Sequence, residues 1–380
     1  MKKESNKTVS FTWKNELMVA LMIVLLSVFG AVLTYSVQIH RDYMASHTMG
    51  EHLLCTAIGV ILMLLCRFVD LKKVKKSTPV ICGIAIILMF LLKTPLGIRA
   101  NGATRWLDLG WFNIRPEEVL IFAYILFAAC VTAYFYNHAN KYQMLYWVWG
   151  AASITAFLII GITANMSIAV LVLGIAFIVT FVFANKKMFH LLLIFAGGGS
   201  MALYIHYLLK EYGGLSFRMM RLKAWLDPYA YEYEQGYITV KQLEAIKSGG
   251  FFGKGLGKGE LVLNSSGAYS DGFFALICEE FGWLAAGILV LVIIVLLWQI
   301  YKVMKLALEK REDFGAAVTM GILAHVGLST FFYIARNLNL LPKGGGVFPF
   351  ISYPGISGLF LFCEIGLVLA VARKCQSLKV

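Results

Sequence analysis

Acidic residues at the edge of a long apolar run are the first sign of chemistry in this 380-residue sequence. The segment SGAYSDGFFALICEEFG places Asp271 just before that run and Glu279 and Glu280 two turns inside it. An aspartate at such a position can cap a helix, but it can also act as a general base. Carboxylates buried in an apolar run are costly, so Glu279 and Glu280 need a partner, such as Arg336 from another helix.

A second pair of carboxylates follows the segment NGATRWLDLGWFNIRP, where proline marks a first helical position and Glu117 and Glu118 occupy the first turn. Acidic side chains stabilise a helix N-terminus, which is one sufficient explanation of this pair. The other explanation is a polar site at the membrane surface, because Arg105 and Arg115 lie close by in the sequence. The residues leave both open.

Basic residues in two further segments suggest contacts with phosphate. Arg218 and Arg221 lie three residues apart, which places them on one face of a helix, where they either grip a phosphate or reach lipid headgroups. The segment GGFFGKGLGKG, which contains Lys254, is not a Walker loop because no GK[ST] follows it. A glycine-shaped turn packed at the membrane is favoured there over an anion cradle.

The segment LPKGGGVFPFISYPGISG, residues 341–358, combines three prolines with five glycines around Ser352. Lipid cannot satisfy the amides of such irregular backbone, so it must line a cavity or pack against protein. We expect this segment to shape a site rather than merely link two helices.

The composition shows what must position these residues. With 59% hydrophobic and 14% charged residues, the chain is a polytopic membrane protein rather than a soluble one. The net charge of +13 reflects Lys and Arg beside the spans, where they orient the protein and meet anionic membrane lipid, so nucleic-acid binding is not expected. The seven cysteines form no C-x-x-C pair and predict neither a disulfide framework nor a zinc site.

The predicted fold is an all-α polytopic membrane protein with about ten transmembrane helices, forming one integral membrane domain over residues 1–380. Lys and Arg are concentrated in alternate short loops and at both ends, which predicts cytoplasmic termini and an extracytoplasmic loop at about 209–272, between spans seven and eight. No cleavable signal peptide is predicted, since the first apolar run is long enough to span. The spans are predicted at 17–37, 52–69, 78–93, 118–136, 143–163, 167–184, 189–208, 273–300, 314–335 and 351–372.

Together these segments resemble the SEDS family, the FtsW, RodA and SpoVE proteins that build bacterial peptidoglycan. NGATRWLDLG…IRPEE is similar to the family's NGAxRWIDLG…IQPSE, and SGGFFGKGLGKG to SGGLFGKGLGxG. SDGFFALICEEFG is similar to TDFIFAxIxEELG, and LPKGGGVFPFISYPGISG to LPxTGxxLPFISYGGSS. These matches run in order from Asn101 to the end of the chain.

The resemblance implies a glycosyltransferase that polymerises lipid II at the outer face of a bacterial cytoplasmic membrane, in division, elongation or sporulation. It places the catalytic aspartate on Asp271, which acts either as the base or as a ligand of a divalent cation, Mg²⁺ or Mn²⁺, at the pyrophosphate. The implied partner is a class B penicillin-binding protein that cross-links the new glycan. The candidate substrate-binding residues are Glu118, Arg105, Arg115, Arg218, Arg221, Lys254 and Ser352.

The chain also departs from the family pattern around the expected cavity. Ile121 replaces a lysine three residues after Glu118, a position for which Arg115 can substitute, and Asn165 replaces an acid. Tyr269 replaces a histidine before the catalytic aspartate. These changes keep two alternatives open: a scaffold or regulator of a penicillin-binding protein that lost catalysis, and a transporter of lipid-linked precursors.

Overall fold

The computed structural model describes residues 11–40, 49–100, 103–110, 113–137, 141–184, 186, 189–190, 217–260, 271–352 and 355–378. Its elements in chain order are α1 (Trp13–His40), α2 (Met49–Cys66), α3 (Leu71–Leu91), β1 (Gly97–Ala100), β2 (Ala103–Asp108), β3 (Asn113–Ile114), α4 (Pro116–Phe135), α5 (Lys141–Thr163), α6 (Met166–Ala184), α7 (Phe217–Leu226), α8 (Tyr237–Ser248), α9 (Phe273–Glu309), α10 (Asp313–Asn337) and α11 (Gly355–Ser377).

Eight of the described helices, α1 to α6 together with α9 and α10, are long and apolar enough to cross a membrane. Each coincides with one predicted span, which confirms eight of the ten. The predicted span at 351–372 falls on α11, a helix of 23 residues, and the one at 189–208 lies almost wholly outside the described residues. The total of ten therefore stays a prediction, as does the extent of the loop at 209–272.

Helices α4 and α10 lie at the centre of the bundle. In their most apolar windows 61% and 67% of the residues are buried, whereas α3 has only 17%. α10 packs against α4, α6 and α9, and α11 packs against α2. Peripheral helices instead expose large apolar side chains such as Phe157 and Ile87, as expected of surfaces that face lipid.

Two local features differ from the sequence-based prediction. Helix α3 begins at Leu71 rather than near residue 78, because Asp70 caps it by accepting a hydrogen bond from the amide of Lys72. The loop before α4 forms a three-stranded antiparallel sheet in the order β1-β2-β3, with Leu107 pairing to both Gly97 and Ile114. β3 leads through Arg115 directly into α4, so the sheet and the helix together fix that arginine.

Candidate active site

Asp271 lies immediately outside the first turn of α9, but it does not cap that helix. The N-cap residue is Gly272, and it makes no side-chain capping bond. The first amide of the helix, that of Phe273, donates to the hydroxyl of Tyr333 at 3.1 Å. The interpretation of Asp271 as an N-cap is therefore wrong, and its carboxylate is left for another use.

Asp271 lines a small depression, which we name the Asp271 pocket. It is lined by Gln242, Asp271, Tyr333, Arg336, Asn337 and Lys343. The main-chain carbonyl of Asp271 accepts hydrogen bonds from Gln242 Nε2 at 2.9 Å and Asn337 Nδ2 at 3.0 Å. α8 and α10 thus hold the backbone of this residue, while its carboxylate accepts no hydrogen bond from the described residues.

The charges around Asp271 are almost all positive. Burial raises the pKa of its carboxyl group, and the nearby cations, led by Lys343 and Arg336, oppose that rise without reversing it. Burial also lowers the pKa of Lys343 to about 8, while the charge of Asp271 acts in the opposite direction. A carboxylate with a raised pKa is suited to accept a proton near neutral pH.

Arg115 organises the carboxylates at the start of α4. Its Nη2 lies 2.7 Å from Glu117 Oε2, and its Nη1 lies 3.8 Å from Glu118 Oε1. Glu117 also accepts hydrogen bonds from Thr163 and from Asn165 Nδ2, the latter at 3.1 Å. Two departures from the family pattern thus compensate for one another. Glu117 adds a carboxylate where the family has serine, and the neutral Asn165, where the family has an acid, donates a hydrogen bond to it.

Glu118 is 5% exposed and lines a cavity with about 310 Å³ of empty space, together with His325, Ser329 and Arg336. Ile121, which stands where the family has a lysine, is fully buried. The cation beside Glu118 is instead Arg115, as predicted. This cavity shares Arg336 with the Asp271 pocket. Glu118 therefore borders the site without entering the pocket itself.

Two other predicted arginines stand near the Asp271 pocket. Arg105, on β2, and Arg221, on α7, each interact electrostatically with Asp271. Burial lowers the pKa of Arg221, and Arg105 lowers it further. The Nε of Arg105 is buried and has no hydrogen-bond partner among the described residues. Arg218 belongs to α7, but its side chain lies outside what the structure describes.

Lys254 and Ser352 have structural partners rather than a place in the pocket. Lys254 Nζ lies 2.9 Å from Glu279 Oε1. The predicted pairing of Glu279 with Arg336 is thus wrong, because the cation beside Glu279 is Lys254, from the loop that precedes α9. Ser352 Oγ accepts a hydrogen bond from the amide of Phe348 at 2.7 Å, which fixes the turn that follows Lys343.

The glycine loop, which we define as residues 249–260, supplies hydrogen-bond partners to main-chain groups on both sides of a kink in α9. Gly282 has a φ of +81° inside that helix, so the helix kinks there. The amides of Trp283 and Leu284 donate to carbonyls of the loop at 2.9 and 3.2 Å. The carbonyls of Glu279 and Glu280 accept from loop amides at 2.9 and 2.8 Å. The loop is therefore a glycine-shaped turn packed on protein, and the interpretation as an anion cradle is not supported.

The described residues that line the Asp271 pocket do not suit a divalent cation. Mg²⁺ and related hard cations require several oxygen ligands in a near-octahedral arrangement. Asp271 is the only carboxylate among the described residues that line the pocket, and the side-chain oxygen of Gln242 already accepts a hydrogen bond from Lys343. Across the described residues, no three His, Cys, Asp or Glu side chains cluster as metal ligands. The fixed cations Lys343 and Arg336 would also repel a metal ion.

Sequence reasoning missed several residues of the site. Lys343 and Arg336 line the pocket, and Gln242 connects Lys343 to the backbone of Asp271. The signal for Lys343 was its place in the irregular LPKGGG segment, which was expected to shape a site. Glu364, which accepts a hydrogen bond from His325 at 2.9 Å inside the bundle, was also overlooked. Tyr269 lies outside the described residues.

Comparisons with known proteins agree with this geometry. The model of the FtsW, RodA and SpoVE family, described as "Cell cycle protein", matches residues 16–377. The chain is 28% identical to "Probable peptidoglycan glycosyltransferase FtsW" of Geobacter sp. (strain M18), covering 95% of this chain and 97% of that protein. It is 25% identical to "Stage V sporulation protein E" of Bacillus subtilis (strain 168), with 94% and 97% covered.

A solved structure has the same fold with a TM-score of 0.72 at 19% identity, covering 97% of this chain and 99% of the other. That structure is described as "Structural coordination of polymerization and crosslinking by a peptidoglycan synthase complex". The chain belongs to the FtsW, RodA and SpoVE family, and it is a multi-pass protein of the bacterial cell membrane.

Proposed function

We propose that this chain is a peptidoglycan glycosyltransferase that polymerises lipid II into glycan strands at the outer face of the cytoplasmic membrane. The single observation that carries the proposal is the setting of Asp271. Gln242 and Asn337 hold its main chain, and several cations lie near its carboxylate. A relative that covers nearly the whole chain bears the name of this activity.

In the proposed reaction, the 4-hydroxyl of one sugar attacks the anomeric carbon of a lipid-linked glycan. The new bond joins the hydroxyl oxygen to that carbon, the carbon–pyrophosphate bond breaks, and the configuration inverts. Asp271 accepts the hydroxyl proton, for which its raised pKa suits it. Undecaprenyl pyrophosphate leaves with the bonding electron pair, and the cations at the pocket stabilise its charge.

Among the remaining candidate residues, Arg105 and Arg221 suit the phosphates, since both stand near Asp271 and Arg105 has a buried donor without a partner in the described part of the chain. Arg115 and Glu118 form the neighbouring wall. The large loop is extracytoplasmic and both termini are cytoplasmic in this proposal, which the distribution of Lys and Arg supports.

We expect a class B penicillin-binding protein to cross-link the product. The support is indirect, since the solved structure with the same fold is described as part of a complex for polymerisation and crosslinking. A transporter is disfavoured by the positions of the charges within the bundle. Glu279 is paired with Lys254, and His325 with Glu364, so these groups are engaged locally rather than arranged along a path.

The decisive experiment measures glycan-chain formation from labelled lipid II by the purified protein, with and without a cognate transpeptidase. We expect polymer from the wild type and none from Asp271→Ala. Asp227→Ala, which changes an exposed aspartate before α8, is the control and should polymerise normally.

Absence of polymer from folded wild-type protein under both conditions would refute the proposal and favour the scaffold. Polymer that survives in Asp271→Ala would instead keep the activity and refute the role of Asp271. Limited proteolysis adds a test that needs no turnover, because lipid II should protect the loop at 209–272 only if that loop faces the substrate.

A further inference from the structure

The Asp271 pocket has an excess of positive charge that the chain itself supplies. Lys343, Arg336, Arg115 and Arg105 all act electrostatically on the single carboxylate of Asp271. Arg115 is already paired with Glu117, whereas Lys343 has no carboxylate within ion-pair distance among the described residues. Such an arrangement is unfavourable in isolation and becomes favourable when an anion enters.

Lys343 is held at the pocket wall rather than extended into solvent. Its Nζ donates to Gln242 Oε1, and Gln242 Nε2 donates in turn to the carbonyl of Asp271 at 2.9 Å. One glutamine on α8 thus fixes the cation and the base relative to each other. A charged group fixed in advance stabilises developing charge better than a mobile one, because it needs no reorganisation during the reaction.

Arg336 is fixed by the glycines that follow Lys343. Its Nε donates to the carbonyl of Phe332 at 2.9 Å, and its Nη1 donates to the carbonyl of Gly345. A Cβ atom on Gly346 would collide with the guanidinium, and one on Gly344 would collide with Ser167. Gly346 therefore leaves the room in which the guanidinium of Arg336 lies against the backbone of this segment.

We infer that Lys343 and Arg336 together form a built-in cationic site for the pyrophosphate leaving group, which takes the place of a divalent cation in this chain. The inference rests on the proposed function and adds to it the identity of the groups that bind the leaving group. It follows from geometry, since both cations line the same small pocket as Asp271 and the donor set there does not suit a metal.

In chemical terms, the carbon–oxygen bond to the pyrophosphate breaks as the sugar hydroxyl attacks, and the leaving oxygen gains negative charge. The ammonium of Lys343 and the guanidinium of Arg336 donate hydrogen bonds to the phosphate oxygens. The proton released by the hydroxyl goes to Asp271. No metal ion and no further reactant is needed to balance the step.

The test measures binding of undecaprenyl pyrophosphate to the purified full-length protein in EDTA, alongside polymerisation of lipid II in EDTA and in Mg²⁺. We expect the wild type to bind and to polymerise equally well in both. Lys343→Met keeps the alkyl stem and should weaken binding about 10- to 100-fold, whereas Lys343→Arg should stay within about threefold of the wild type. Lys247→Met changes an exposed lysine of α8 and is the matched control.

Melting temperatures of all variants show whether they are folded, and Lys343→Arg keeps the test valid if Lys343→Met is unstable. Wild-type binding that requires Mg²⁺, or equal binding by Lys343→Met and Lys247→Met, would overturn the inference while leaving polymerisation intact. Conversely, binding that is insensitive to EDTA and depends on Lys343, without any polymer, would support this inference and refute the proposed function.

Discussion

The glycine loop and the Asp271 pocket lie at opposite ends of the first segment of α9, and they treat their charges in opposite ways. In the glycine loop, Glu279 is paired with Lys254, and Glu280 accepts from Ser36 and from the amide of Gly257. In the pocket, Asp271 faces Lys343 across an open space. In the first arrangement each carboxylate already has a partner within the chain, whereas the second calls for a ligand.

The difference shows that a carboxylate near an apolar helix does not reveal its role by burial alone. Glu279 is fully buried, yet its partners give it a structural function. Asp271 is only partly buried, yet the described residues leave its carboxylate without a hydrogen bond. What distinguishes the two is whether nearby groups have already satisfied the charge.

Exchanging carboxylate for amide in both regions tests this contrast most strongly. Asp271→Asn should lower polymerisation by about 10²- to 10⁴-fold, the usual contribution of a general base, without lowering the melting temperature. Glu279→Gln should lower the melting temperature and leave polymerisation unchanged, since it breaks the ion pair with Lys254. Parallel measurements of lipid II polymerisation and thermal unfolding check both. Equal loss of stability in the two variants would erase the contrast.

The kink of α9 predicts the next largest effect. Gly282→Ala forces a side chain into positive φ and against the carbonyl of Phe251, so it should destabilise the protein by about 1–3 kcal/mol or more. Gly287 lies one turn further along the same helix, and a Cβ there meets nothing within 4 Å. Gly287→Ala should therefore be neutral or stabilise by up to about 1 kcal/mol. Thermal unfolding in detergent compares the two, and a similar loss in both would contradict the repaired-kink interpretation.

The cluster at the start of α4 predicts a smaller effect. Asn165→Asp restores the acid of the family pattern but places a second carboxylate 3.1 Å from Glu117 Oε2. We expect a loss of about 1–3 kcal/mol, because the amide donor disappears and a like charge replaces it. Glu117→Gln in the same chain should recover most of that loss. A double-mutant cycle on melting temperature measures the coupling, and additive effects would show that the two residues act independently.

The pH dependence of polymerisation gives the mildest test. Asp271 must lose its proton to act as a base, so activity should rise as pH rises through its raised pKa. Lys343 must keep its proton to bind an anion, so activity should fall as pH rises above about 8, by up to about tenfold per pH unit. Arg336 and Tyr333 face the same pocket and stay in one charge state over this range. Lys343→Arg should abolish the fall, and an unchanged profile would contradict the assignment.

The sequence predicted those parts of the molecule that depend on local pattern. Apolar length located eight spans, and Pro116 with the acidic first turn located the start of α4. The sequence could not locate the kink of α9, because a single glycine within a helical pattern does not by itself mark a kink and the groups that repair the break lie about 30 residues earlier. The assignment of Glu279 to Arg336 failed for the same reason.

The pocket was predicted only in part, because its members come from distant segments. Asp271 and the arginines of the loop before α4 were identified from type and position. Gln242 and Lys343 were not, since their importance arises from a hydrogen bond between residues 101 positions apart. The departures at Ile121 and Asn165 appeared separately as losses, and only the contacts of Arg115 and Asn165 with Glu117 show how the chain compensates for them.

The repaired kink also has a mechanical consequence. Residues 273–281 form a helical segment of about 13 Å, with Asp271 just before one end and the glycine loop hydrogen-bonded to the other. Two main-chain hydrogen bonds join the loop to residues 279 and 280, and two more join it to residues 283 and 284, so the loop bridges both sides of the kink at Gly282. We therefore expect a contact on the glycine loop that shifts this joint to shift the neighbouring Asp271 as well.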